Sequence, residues 1–316
     1  MFLPVKADFP LPRFPVLTVL VCLICAGVFF KQISDWQRFN AAIDRYCELD
    51  RSRIEHMVFT QIADLNDYGY CAEMMYTIAS ADDGLSIVED IVTQLRPLTG
   101  FNRNDSQEYV RQMLHDELRR YRTAVPPDPD EGLAYYTSSW NPWYMVTSAF
   151  AHGDWGHIIF NLFFFVAFAA TVETLIGPLA FIAAILSIAI FTGVFSSVSA
   201  YAAGSHHWTL GLSGVVMGMM GLYTFLLPRG KIRCYYWSII VFGSVAIPAW
   251  ALTLWYIGGD IYRLFAYEDN GVVNVMAHVT GGIAGYLFGV LFLRKAKDRA
   301  HDLQFELDFA TNKPRF

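Results

Sequence analysis

Gly211-Leu212-Ser213-Gly214 stands at the head of an apolar run, 210–227, in a chain of 316 residues. A serine between glycines at the start of a membrane helix reads in two ways. Small residues let helices pack closely, and a hydroxyl beside a base is a nucleophile. Three other polar residues at a similar depth favour the second reading. His157 and Asn161 lie one helical turn apart on the segment 156–176, and His278 lies on 272–293. Strongly polar side chains inside apolar spans are costly and by default mark a functional site.

The composition supports a bilayer setting. The chain is 54% hydrophobic and 16% aromatic but only 16% charged, too apolar for an ordinary soluble enzyme. A net charge of -6 without a long basic tract excludes a nucleic-acid partner. Six apolar runs occur at 14–30, 156–176, 179–200, 210–227, 235–257 and 272–293. Each approaches the ~20 residues that cross a bilayer core. The expected fold is an all-α polytopic bundle of six transmembrane helices carrying an inserted, mostly helical extracytoplasmic domain.

That insertion, 31–140, has eight more acidic than basic residues. Trp36, Phe39, Ile43 and Cys47 recur at helical spacing, a second helix is expected over 106–122 with Ser106 as its N-cap, and Pro126-Pro127-Asp128-Pro129 forms a linker. The division expected is 1–30 for the cytoplasmic N-terminus and first span, 31–140 for the insertion, 141–294 for a core of five spans, and 295–316 for a cytoplasmic tail. Cys47 and Cys71 are either a staple in an oxidising compartment or two unpaired core thiols. Cys22 and Cys25 lie mid-span, where they serve packing.

Basic residues set the orientation. Lys6 and Arg13, then Arg229, Lys231 and Arg233, then Arg294, Lys295, Lys297 and Arg299 share one side if the N-terminus is cytoplasmic. The first run is read as a retained span, since no small-residue cleavage site follows it. The expected location is a bacterial inner membrane with both termini cytoplasmic and the site opening outward.

On this topology Ser213 lies roughly 5 Å and His278 roughly 9 Å below the outer surface, at 1.5 Å per residue. Gly211, Gly214 and Gly218 on one span, and Gly281, Gly285 and Gly289 on the other, allow close approach. His278 would then take the proton of Ser213. The Ser213 N–H, the Asn161 amide and the His157 ring would receive the oxyanion. No Asp or Glu is expected beside His278, so the reading is a Ser–His dyad, with Asn274 one turn away as a guess for a partner. Glu173 is read as structural, bonding a loop near the cytoplasmic face, and His152 as a polar loop residue. His206 and His207 cannot easily both face one ion, so no metal and no cofactor is expected. Gly258-Gly259 is either a gate hinge or a plain turn.

The residues resemble the rhomboid intramembrane serine proteases. The likeness covers about 141–293 and the position of the first span. It rests on His157-Ile-Ile-Phe-Asn161, on Gly211-Leu-Ser-Gly-Val-Val-Met-Gly218, and on Ala277-His-Val-Thr-Gly281-Gly-Ile-Ala-Gly285, with Glu173 and Gly177 also fitting. The resemblance implies cleavage of single-span membrane proteins near the outer end of their helix, within the lipid bilayer. It makes Ser213 the nucleophile, His278 the base, and His157 and Asn161 parts of the oxyanion hole. Two positions depart from the pattern: Trp143-Tyr144 stands where a Trp-Arg pair is common, and Met217 where a tyrosine commonly stacks on the histidine. Two other readings compete, a proteolytically silent relative that binds membrane clients and a small transporter. The insertion would recruit or select substrates, and its partner is left open.

Overall fold

The computed structural model describes residues 2–66, 71–81, 83–237, 242–266 and 275–310. The chain divides into two compact units, one formed by Met1–Phe30 with Leu133–Phe316 and the other by Lys31–Gly132.

In the first unit a strand, β1 (Phe2–Ala7), precedes the long helix α1 (Val16–Cys47), whose later half belongs to the second unit. The second unit continues with α2 (Arg53–Asn66), α3 (Ala72–Ser80), α4 (Gly84–Gln94) and α5 (Arg103–Ala124). Phe39, Ile43 and Tyr46 of α1 pack with Phe59, Met75, Ile91 and Leu114 in one buried cluster. Glu117 is buried beside Arg51, whose guanidinium lies 3.6 Å away and 5.0 Å over the rings of Tyr46 and Phe59. The Tyr46 hydroxyl donates to the same carboxylate. A buried charge is tolerable when paired and hydrogen-bonded in this way. Cys47 and Cys71 form a disulfide. The helix expected from Ser106 begins one turn earlier. Asn102 is its N-cap, accepting from Asp105 N at 2.9 Å, and the Ser106 hydroxyl accepts from Leu98 N instead.

The first unit resumes with β2 (Tyr135–Tyr136), α6 (Pro142–Thr147), a 3-10 turn (Ser148–Phe150), α7 (Trp155–Ile176), α8 (Pro178–Ala203), β3 (Trp208–Thr209) and α9 (Ser213–Leu226). It closes with β4 (Lys231–Trp237), β5 (Phe242–Pro248), α10 (Ala249–Ala266), α11 (Val275–Phe292) and α12 (Arg294–Ala310). Local chemistry sets the boundaries. The Asp154 carboxylate accepts from His157 N at 2.8 Å and starts α7. Gly177, at φ 82°, ends it in a conformation that glycine adopts without cost, and Pro178 opens α8 at a position where a missing N–H is harmless.

Four helices, α1, α7, α8 and α11, are long and apolar enough to cross a membrane, and α9 is a shorter apolar helix. At 1.5 Å per residue the 14 residues of α9 span about 21 Å, short of the ~30 Å hydrocarbon core. The helix α10 has the length but carries Asp260 and Arg263.

The all-α expectation needs correction. Among the described residues β1, β4 and β5 form an antiparallel sheet in the order β1-β4-β5, and β2 pairs with β3. The described residues of the expected span 235–257 are the end of β4, then β5 and the first half of α10. The start of β4 alternates: Ile232 and Cys234 are buried while Lys231, Arg233 and Tyr235 face out. That period of two is a strand signature, and the run is rich in residues that favour strands. Hydropathy alone does not separate an apolar strand pair from an apolar helix. The partner strand β1 lies more than 200 residues away and packs on α7.

Candidate active site

Ser213 is the first residue of α9, so it stands at the helix start rather than three or four residues inside it. The preceding turn depends on Gly211, whose φ of 117° an L side chain rarely adopts. Its N–H donates to Ser148 O at 2.9 Å. A Cβ there would also lie 2.6 Å from Cε1 and Nε2 of His157. The glycine therefore permits both the turn and the approach of the His157 ring.

The helices α9 and α11 meet almost backbone to backbone. A Cβ on Gly281 would sit 2.2 Å from Gly214 O, one on Gly285 1.8 Å from Gly218 O, and one on Gly221 2.2 Å from Gly282 O. Gly214 also comes within 3.4 Å of Ala277 O in the same sense. Ser213 precedes Gly214 and His278 follows Ala277, so each lies next in sequence to a residue of this crossing. Gly289 instead faces Phe225 and Leu222. Met217 is buried within α9.

His157 lies in the first turn of α7 and Asn161, buried, one turn below it. The ring of His157 reaches the Gly211 turn, as described, and packs edge-on against His152 with centroids 5.1 Å apart. His152 does lie in the loop before α7, but it is buried there rather than facing solvent. It is 1% exposed, and burial, together with the neighbouring His157, pushes its pKa down to about 4. Nothing in its sequence surroundings, Ala151-His152-Gly153, announced that burial.

The sequence also missed Asp260. It follows the apolar run that ends at 257, but α10 continues to Ala266 and buries the side chain. Its Oδ2 lies 2.8 Å from His278 Nδ1, and its Oδ1 lies 3.7 Å from Arg263 Nη1. The expectation that no carboxylate stands beside His278 is therefore overturned. The signal was available only through the helix register of α10, which the strand pair had shifted. Gly258 and Gly259, read as a hinge or turn, are ordinary positions inside this helix. Asn274 lies outside the described residues.

A small cavity of about 40 Å³ adjoins Ser213, and its lining includes the polar side chains of Ser148, Thr192, Ser196 and Thr209. Such a volume holds water where several polar groups line it, since one molecule needs roughly 10–15 Å³ by this measure. Among the described residues no cluster of His, Cys, Asp and Glu has the arrangement of a metal site.

Glu173, expected to bond a loop, instead caps α1. Its carboxylate accepts from Leu17 N at 2.9 Å, Thr18 N at 2.7 Å and the Thr18 hydroxyl at 2.7 Å. A negative group at a helix start satisfies otherwise unpaired N–H donors and opposes the helix dipole.

The family model for the Rhomboid domain matches residues 139–295, the segment that holds every one of these site residues. This segment is a rhomboid domain. Similar proteins include RHOMBOID-like protein 12, mitochondrial, of Arabidopsis thaliana, 30% identical over 169 residues, which cover 49% of this chain and 47% of that one. Rhomboid protein 1, mitochondrial, of Saccharomyces cerevisiae is 26% identical over 166 residues, covering 51% of this chain and 45% of its own. The Bacillus subtilis rhomboid protein YdcA is 24% identical over 159 residues, 50% of this chain and 70% of its own. The chain spans about half the length of the two mitochondrial relatives it matches. The bacterial inner membrane expected from topology does not follow from these relatives, which come from mitochondria as well as a bacterium. The chain is a membrane protein with apolar helices.

Proposed function

We propose that this chain is an intramembrane serine protease that cleaves single-span membrane proteins near the outer end of their transmembrane helix. The observation that carries the reading is the glycine crossing of α9 and α11, where Gly214 and Ala277, the sequence neighbours of Ser213 and His278, come together. A nucleophile and base held by two packed backbones keep their geometry without reorganisation at the moment of reaction.

In this mechanism the Ser213 Oγ attacks the scissile carbonyl carbon while His278 takes its proton. The proton then passes to the leaving amine, and an acyl-enzyme forms on Ser213. Water displaces the acyl group by the same route, and the cavity beside Ser213 offers space for it. The first N–H groups of a helix lack partners within it, and the Ser213 N–H is the one we assign to the developing oxyanion. The Asn161 amide and the His157 ring supply the further donors. We place α9 and α10 as the two remaining spans of six, with the basic termini on the inner side. The second unit then lies on the opposite side, where its disulfide is at home.

The test is cleavage of tagged single-span substrates in reconstituted liposomes by wild type and by Ser213→Ala. Product from wild type alone, with both proteins folded, is the expected result. Absence of product across a broad substrate panel, with client binding unaffected by Ser213→Ala, would overturn the reading in favour of a client-binding relative, the alternative that Met217 favours.

A further inference from the structure

We infer that Asp260 is a positioning residue for His278, so that the site works as a Ser213–His278–Asp260 triad rather than a dyad. The inference rests on the protease reading for its catalytic consequence, but the Asp260–His278 contact stands on geometry alone.

The burial of Asp260 calls for an explanation. On the same helix Trp250, Leu254, Trp255 and Tyr262 are exposed, each above half of its full area. This is the composition of a lipid-facing surface. Asp260 is 8% exposed and points the other way. A carboxylate withdrawn from water inside an apolar segment is costly unless it is paired and hydrogen-bonded. Its partners divide between two elements. One oxygen faces His278 Nδ1 on α11 at 2.8 Å, and the other approaches Arg263, one turn on in α10, at 3.7 Å. The first distance is that of a full charge-assisted hydrogen bond, and the second is a loose ion pair at a half-exposed side chain. The contact with His278 is therefore the one that justifies burying the acid.

The chemistry of the contact is specific. A carboxylate only accepts, so the ring nitrogen facing it must donate. That fixes the neutral imidazole with its proton on Nδ1 and leaves Nε2 as the unprotonated nitrogen, the state a general base needs before it takes the serine proton. The same carboxylate stabilises the imidazolium that forms in the transition state without itself becoming protonated. It also restricts ring rotation. The charged and titratable groups near His278 on the elements packed around it are Asp260 from α10 and the His157 ring from α7, which is within electrostatic reach.

A structural role for Asp260 and a positioning role make different predictions for the imidazole itself. The experiment is 15N-histidine NMR of the full chain in detergent micelles, at a pH where the ring is neutral, with His278→Asn used to assign its resonances. The expected wild-type spectrum shows His278 with a protonated Nδ1 and an unprotonated Nε2. In Asp260→Asn that preference is lost, because an amide can either donate or accept. In the liposome assay the same variant loses kcat by about 10²–10⁴-fold with KM within about twofold, the upper figure being the loss known when a protease triad Asp becomes Asn. A wild-type His278 protonated on Nε2, or a tautomer and kcat both unchanged in Asp260→Asn, would overturn the inference. If Asp260→Asn does not fold, the wild-type tautomer alone decides. Wild type that shows the Nδ1–H tautomer but cleaves nothing would count against the protease reading while leaving the Asp260 contact intact.

Discussion

The rhomboid domain and the Lys31–Gly132 unit solve the problem of holding helices together in opposite ways. In the rhomboid domain the central crossing is built from absent side chains, Gly214 against Gly281 and Gly218 against Gly285. In the other unit it is built from large ones, Tyr46, Phe59, Met74 and Leu114, with a buried ion pair and a disulfide added. On the proposed topology, water explains the contrast. Outside the bilayer, burying large apolar side chains supplies the driving force. Inside it, lipid is as apolar as leucine, and close backbone packing must supply the attraction. The glycine crossing has a functional consequence that the large-residue core lacks. It leaves no adjustable side chain between the two backbones that carry Ser213 and His278, so their spacing is fixed by main chain.

The contrast can be broken most severely at the seam. Gly285→Val would force a branched side chain into a site where even a Cβ meets Gly218 O at 1.8 Å. The helices must separate, and a displacement of about 1 Å at reacting groups can cost 10²-fold in rate. The expected result in the liposome assay is a loss of at least that size, with a lowered thermal midpoint. Near-normal cleavage would show that the seam does not set the site.

The converse break lies in the other unit. Glu117→Ala removes the acid between Arg51 and Tyr46, leaving a buried guanidinium uncompensated, at a cost of about 3–5 kcal/mol. Urea titration followed by circular dichroism would show an early transition for that unit, while cleavage by the rhomboid domain persists. Loss of both together would mean that the units are not energetically separate.

A smaller effect sharpens the comparison by pH. His152 has an ordinary pKa of 6.5 when unfolded and is held down at about 4 in the fold by burial. Between those values the unfolded chain binds more protons, so stability is complete above pH 6.5 and falls as pH drops toward 4. The linked loss is about 3 kcal/mol. Thermal midpoints measured across that window should decline in wild type and decline less in His152→Gln. Equal slopes would show that His152 charges without penalty.

Much of this arrangement was legible from residues alone, because glycine spacing and polar outliers in apolar runs carry their meaning locally. Gly211-Leu-Ser-Gly, the Gly281/Gly285 repeat and His278 needed only helical periodicity to be set together. What escaped depended on distant partners. The strand pair β4-β5 reads as an apolar span until β1 is known to flank it, and that misreading displaced Asp260 into a loop. His152 gave no sign of burial, because the packing of its ring against His157 is not written in the residues that flank it. Cys47 and Cys71 could be paired only once α1 and α3 were seen to meet.

The most direct test of the central claim is labelling of the full chain by a fluorophosphonate probe, which reacts only with an activated serine, with the modified residue located by mass spectrometry. The account predicts a single adduct on Ser213, abolished by His278→Asn and by Gly285→Val but retained in Glu117→Ala. Labelling that is absent from wild type, or that survives disruption of the glycine seam, would contradict it.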